Sequence, residues 1–186
     1  SRRETINSNI SGISVSIKDI ILARYKIYNG PAPTTAAQVA VTTGTAIKTM
    51  LQLKPFNQAK IVAWGISFDG SAAATPIKCE LLETGSVFGT VTASADADCV
   101  KMGGTDQAVA SVAGLTLSTS GTGYTCTSEG TITASRMFDV QFVAPTNQYV
   151  YQFPLGQEPV LVIGNATRVR VTAGAAVNAY CFIEVA

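Results

Sequence analysis

Apolar and polar positions alternate along much of this chain. Val62, Trp64, Ile66 and Phe68 share one face of a segment whose other face shows Ala63, Gly65 and Ser67, and a period of two is that of a β-strand. Ile77, Cys79 and Leu81 alternate with Lys78 and Glu80, and Val169 and Val171 alternate with Arg168 and Arg170. Each of these segments is expected to bury its apolar side and wet its charged side. Ala179, Cys181, Ile183 and Val185 oppose Tyr180, Phe182 and Glu184. That strand is apolar on both faces, which places it centrally in a sheet.

Further strands are expected at 25–28, 38–42, 47–53, 87–93 and 149–153, with turn signals at Asn29-Gly30-Pro31, Asp69-Gly70 and Thr84-Gly85 between them. Residues 45–53 also fit a short helix, and no longer segment shows a capped 3.6-residue period. About eight to ten short strands with long connections predict an all-β, two-sheet antiparallel β-sandwich, with a jelly roll favoured over a closed barrel.

The pattern sets residues 1–21 apart from the rest, 22–186, which reads as one domain. The first segment holds one alternating run, Ile13, Val15 and Ile17, and the basic pair Arg2 and Arg3. It reads as an extended N-terminal arm, suited to grip an acidic neighbour or to complete a neighbour's sheet edge. Its residues lack the continuous apolar run of a secretory leader. Residues 93–135 are rich in Ala, Ser, Thr and Gly and read as a long insertion.

Charge narrows the functional classes. Lys and Arg total 13 and Asp and Glu 12, leaving +1, with an isoelectric point near 7.6. That balance offers no general attraction to nucleic acid or an anionic membrane, and neither is expected as a partner. Mean hydropathy is +0.28, yet the longest apolar runs, such as 20–23, fall far short of the roughly 20 residues a spanning helix needs. With 13% charged residues, the surface must be coated by Thr, Ser, Asn and Gln, which leaves little repulsion between copies.

The chain contains no histidine, so the commonest acid–base catalyst and metal ligand is missing. No G-x-S-x-G or S-x-x-K motif supplies a nucleophile, and Glu80 and Glu83 read as surface charges on opposite strand faces, not as a glycosidase pair. The Asp96-Ala-Asp98 run lacks the further oxygen ligands of a calcium loop. No catalytic residue, metal or cofactor is expected. Cys79 and Cys181 read as buried apolar groups, while Cys99 and Cys126, which bracket the Gly/Ser/Thr-rich stretch, are candidates for a disulfide. Asn165-Ala166-Thr167 matches a glycosylation sequon. Tyr149, Tyr151 and Phe153 fall on one strand face, suited to burial in the sandwich or a subunit contact, or to stacking on sugars.

Longer stretches carry a family resemblance. ARYKIYNGPAPTTAAQVAVTTGTAIKTMLQLKP, WGISFDGSAAATPIKCELLETG and FGTVTASADAD, followed by AGLTLSTSGTGYTCTSEG, FVAPTNQYVYQFPLGQEP and RVRVTAGAAVNAYCFIEV, resemble small virion proteins of tailed bacteriophages, especially phages of actinobacteria. The resemblance spans residues 23–186 and leaves 1–21 outside it. It implies a capsid decoration or minor capsid protein, a β-sandwich that binds the outside of the major-capsid lattice. The resemblance brings no catalytic residues. The leading expectation is then a non-enzymatic virion protein on the outer capsid surface, partnered by the major capsid protein and by its own copies as a homotrimer. The assembly contacts expected from the residues themselves are Arg2, Arg3, Ile13, Val15 and Ile17, with Tyr149 and Tyr151. The rival expectations are a self-assembling extracellular filament subunit with a donor-strand N-terminus, and a carbohydrate-binding surface module.

Overall fold

The alternating segments fold as strands in the computed structural model, which describes residues 23–31, 37–70, 75–103 and 114–186. In chain order these are β1 (Tyr25–Tyr28), β2 (Val41–Thr42), β3 (Ile47–Leu53), β4 (Ile61–Phe68), β5 (Ile77–Glu83), β6 (Thr90–Ala93), β7 (Cys99–Lys101), β8 (Gly123–Ser128), β9 (Arg136–Val143), β10 (Gln148–Gln152), β11 (Thr167–Thr172) and β12 (Asn178–Val185). One 3₁₀ turn, Asp96–Asp98, is the sole helical element among the described residues. Residues 47–53 form a strand and not a helix, because they pair with β11 on one side and β8 on the other.

The strands make two antiparallel sheets facing each other as a sandwich. The first sheet runs β10-β4-β12-β1-β7, with β2 also on β12, and the second runs β6-β8-β3-β11-β5-β9. As its pattern requires, β12 lies in the interior of its sheet, between β4 and β1. Residues 93–135 contribute β7 to the first sheet and β8 to the second.

The inner faces meet in a single core. Tyr25, Ile27, Trp64, Ile66, Cys181 and Ile183 come from the first sheet, and Leu51, Leu53, Cys79, Leu81, Val169 and Val171 from the second. Burying each Leu, Ile or Val side chain contributes about 1.5–3 kcal/mol against chain entropy. One position differs from the periodic expectation. The β4–β12 register shifts between Glu184 and Val185, so Ile61 pairs with Val185 and enters the core, while Val62 is only half-buried. Such a bulge inserts one residue and resets the alternation beyond it.

The outer face of the second sheet departs further from expectation. Arg168 is 0% exposed and Glu80 is buried on that face, and Glu83 on the opposite face is buried too, where alternation alone made all three surface charges. The reason is a roof of loops. The Arg168 Nη1 donates to the Glu129 carbonyl and carboxylate, both at 3.0 Å, and Nη2 donates to the Val87 carbonyl at 2.6 Å. Buried Gln52 donates to the Gly121 carbonyl at 2.7 Å and accepts from the Gly89 N–H at 2.8 Å. Residues 84–90 and 128–130 are thereby clamped over β3 and β11, and the sheet's polar side is enclosed instead of wetted. Glu80 is held by Lys78 at 2.6 Å and Arg170 at 2.9 Å. Burial pushes its carboxyl up, but hydrogen bonds and charge from those two cations outweigh that and hold it below the usual carboxylate range. Glu83 is satisfied by Arg136 and Asn165, each at 3.0 Å, so the sequon amide is engaged within the fold.

Candidate assembly surface

The roof stops short of β9. This strand forms one free edge of the second sheet, β10 forms one free edge of the first, and residues 144–147 join them. The two edges therefore lie side by side along one flank of the sandwich. Beyond β10 the chain continues through residues 153–164 at one end of that flank, where the Leu161 N–H donates to the Ala59 carbonyl at 2.9 Å. The turn of this loop closes with the Gln157 N–H on the Pro154 carbonyl at 2.9 Å, and Gly156 supplies the left-handed backbone there at φ 84°.

This one stretch, 136–163, carries nine of the thirteen exposed large apolar side chains among the described residues. Met137, Val140 and Phe142, the last 71% exposed, project from β9, while Val150 and Tyr151 project from β10. Leu155 at the tip of the loop is 96% exposed, and Val160, Val162 and Ile163 follow it. Phe56, 52% exposed, belongs to the same end, since the Gly164 N–H donates to the Pro55 carbonyl at 3.1 Å. Single exposed apolar residues are ordinary on a protein surface, but a concentration on one flank and one end marks a surface suited to contact.

A polar cluster fixes the shape of the flank. The Trp64 indole donates to the Asp139 carboxylate at 3.1 Å, the Tyr149 hydroxyl donates to the same oxygen at 2.8 Å, and Gln141 donates to the other oxygen at 3.3 Å. Trp64 and Tyr149 also meet edge to face, 5.5 Å between centroids. Asp139 on β9 is thus tied to two aromatic groups of the opposite sheet, which locks the two edges together. Tyr151 and Phe153 make a second edge-to-face pair at 5.0 Å.

Of the tyrosines singled out from sequence, Tyr149 is half-buried in this cluster and Tyr151 stands exposed beside it. Burial, followed by the hydrogen bond and charge of Asp139, pushes the Tyr149 hydroxyl up to about 12. The neutral phenol is therefore favoured by the fold. Its contribution to stability is complete below about pH 10, the unfolded value, and is lost as pH rises through 12. Subtracting the phenolate titration of a Tyr149→Phe variant from that of the wild type should leave a step near 12. A step near 10 would mean that the hydroxyl is neither buried nor bound to Asp139.

Arg2, Arg3, Ile13, Val15 and Ile17 lie outside the described residues. Cys99 and Cys126 do not bridge. Cys99 is on β7 of the first sheet and Cys126 on β8 of the second, and all four cysteines are free, buried thiols. Burial pushes the Cys79 and Cys99 thiols up to about 12, and raises Cys126 and Cys181 as well. All four are protonated at neutral pH, which makes them packing groups and poor nucleophiles. Among the described residues no group of three or more Cys, Asp or Glu side chains could hold a metal, and no helix is long and apolar enough to cross a membrane.

Sequence reasoning passed over β9, and with it Met137, Val140 and Phe142. The signal was present: Phe138, Val140 and Phe142 alternate with Asp139 and Gln141. The arrangement places two unpaired sheet edges side by side with an exposed apolar loop at their end. No family model, no curated protein and no solved structure matches the chain.

Proposed function

We propose that this chain is a non-enzymatic virion protein, a capsid decoration protein that binds the outer surface of a major-capsid lattice and groups with its own copies as a homotrimer. The family resemblance suggests the role. The observation that carries it in the structure is the apolar end formed by Leu155, Val162, Ile163 and Phe56, exposed on a sandwich whose core is already complete without them. An end of this kind gains by burial against another protein, and Leu and Phe side chains in a desolvated centre supply most of such a contact. Each copy needs only a modest interface, because a second attachment by the arm, residues 1–21, would act at high effective concentration.

The test is occupancy on purified heads stripped of the protein. Leu155→Asp together with Ile163→Asp is expected to lower occupancy roughly tenfold or more, the effect of losing about 1.4 kcal/mol or more of binding, with the melting temperature held because both side chains are exposed. Wild-type occupancy by that variant would overturn the reading. The filament alternative draws on the long free edge of β9, and polymerisation of the purified chain without capsid would favour it.

A further inference from the structure

We propose that β9 pairs with β9 of a second copy, antiparallel about a two-fold axis at Gln141, joining the two second sheets into one continuous sheet. This rests on the reading of the chain as an assembling subunit, but uses the flank of the sandwich and not its apolar end.

The strand is a free edge whose run 139–143 stays regular. Exposed edges are ordinarily blunted by proline, lysine, shortness, a bulge or an inward charge, and the bulge of β9 at Phe138 lies outside that run. β9 is eight residues long and contains neither proline nor lysine. Its one charge in the regular part, Asp139, is already engaged by Trp64, Tyr149 and Gln141. Self-complementarity argues for a copy of itself as the partner: the regular run 139–143 holds the exposed apolar side chains Val140 and Phe142 placed evenly about its centre, so two copies running antiparallel set each against the other.

The register follows from the bulge. Pairing with β5 shifts between Leu81 and Leu82, leaving Phe138 out of the ladder and 139–143 as the regular run. The centre of that run is Gln141. A two-fold axis there sets Phe142 against Val140 of the second copy and Val140 against its Phe142. These are aromatic and β-branched cross-strand pairs on the outer face, where both side chains now stand exposed. No like charges meet. The contact closes at two copies, so it is distinct from a threefold grouping and would tie one trimer to the next.

The experiment is site-directed crosslinking of the full chain. The native thiols are buried, so in Gln141→Cys the introduced thiols should report the axis. Under diamide that variant is expected to form a covalent dimer roughly tenfold faster or more than Thr90→Cys, on edge β6, because only the former thiols meet at high effective concentration. Phe142→Lys, at an exposed position that leaves the fold intact, should abolish dimer detected by sedimentation equilibrium. Crosslinking of Gln141→Cys no faster than Thr90→Cys, together with Phe142→Lys unchanged in mass distribution, would overturn the pairing. So would loss of the dimer on deleting residues 1–21 alone, which would put the arm of a neighbour on β9 instead. Head occupancy is read separately, so failure of the capsid reading leaves the crosslinking result standing.

Discussion

Replacing Arg168 by alanine should destabilise the protein by about 3–5 kcal/mol, the cost of breaking a buried ion pair from one side. Arg168 sits on β11, between β3 and β5. Its guanidinium reaches through the outer face to the Val87 carbonyl and to both the carbonyl and carboxylate of Glu129. Burial lowers its proton affinity while Glu129 opposes that shift, and a guanidinium stays charged throughout. Without it, the Glu129 carboxylate remains fixed by the Thr49 N–H and hydroxyl, each at 2.6 Å, with no cation beside it. The Val87 carbonyl loses its donor, and the space of a large side chain opens under the roof. Since a domain of this kind has about 5–15 kcal/mol in total, the urea midpoint should fall far with little change in slope. Hydrogen exchange should quicken at 84–90 and 128–130 before it does in the core. A loss below about 1 kcal/mol, typical of a solvent-exposed pair, would mean that the roof does not enclose Arg168.

Trp64→Ala should cost a similar amount, about 3–5 kcal/mol, as expected for removing a large buried aromatic side chain. Trp64 is fully buried on β4 and joins three elements at once. It fills the core, meets the ring of Tyr149 on β10, and donates to Asp139 on β9. Trp64→Phe keeps most of the apolar contact and loses the N–H donor, so its cost should be about 1–2 kcal/mol. The ordering of the two variants is the informative part. Circular dichroism must follow the unfolding, because Trp64 is the sole tryptophan and its removal takes the fluorescence signal with it. If Trp64→Phe is as damaging as Trp64→Ala, the bond to Asp139 and not the filled volume holds the flank together. If Trp64→Phe is neutral, the edges are set by packing alone.

The strands at 25–28 and 77–81 were legible because each alternates, whereas 47–53 fitted a strand or a short helix until pairing with β11 and β8 decided it. β12 was legible as a central strand because both of its faces are apolar. At β4 the same logic chose Val62 for the core, and the bulge opposite it delivered Ile61 instead. A period of two continues only while the ladder is regular, and a bulge leaves no dependable mark on composition. The candidate surface was half legible. Tyr149 and Tyr151 were found on the correct edge, whereas β9 was missed although its own alternation was there to be read. Its apolar residues carry no label saying that they face outward, since alternation distinguishes two sides of a strand but not which of them a neighbour covers.

What the amino-acid sequence determined by itself is the class of the fold: short alternating strands, turn residues between them, no long amphipathic helix, and no histidine for familiar catalysis. What only the tertiary structure decided is which strands meet and which polar sides are enclosed. Among the described residues no hydrogen-bonded pair of strands is consecutive; β4 lies between β10 and β12, and β11 between β3 and β5. Tight hairpins, the one pairing that local residues announce, are therefore not what builds these sheets. The burial of Arg168, Glu80 and Gln52 was decided at the same level. A charged or amide side chain can be enclosed only when distant loops bring its hydrogen-bond partners, and those loops arrive through long-range pairing that local periodicity does not encode.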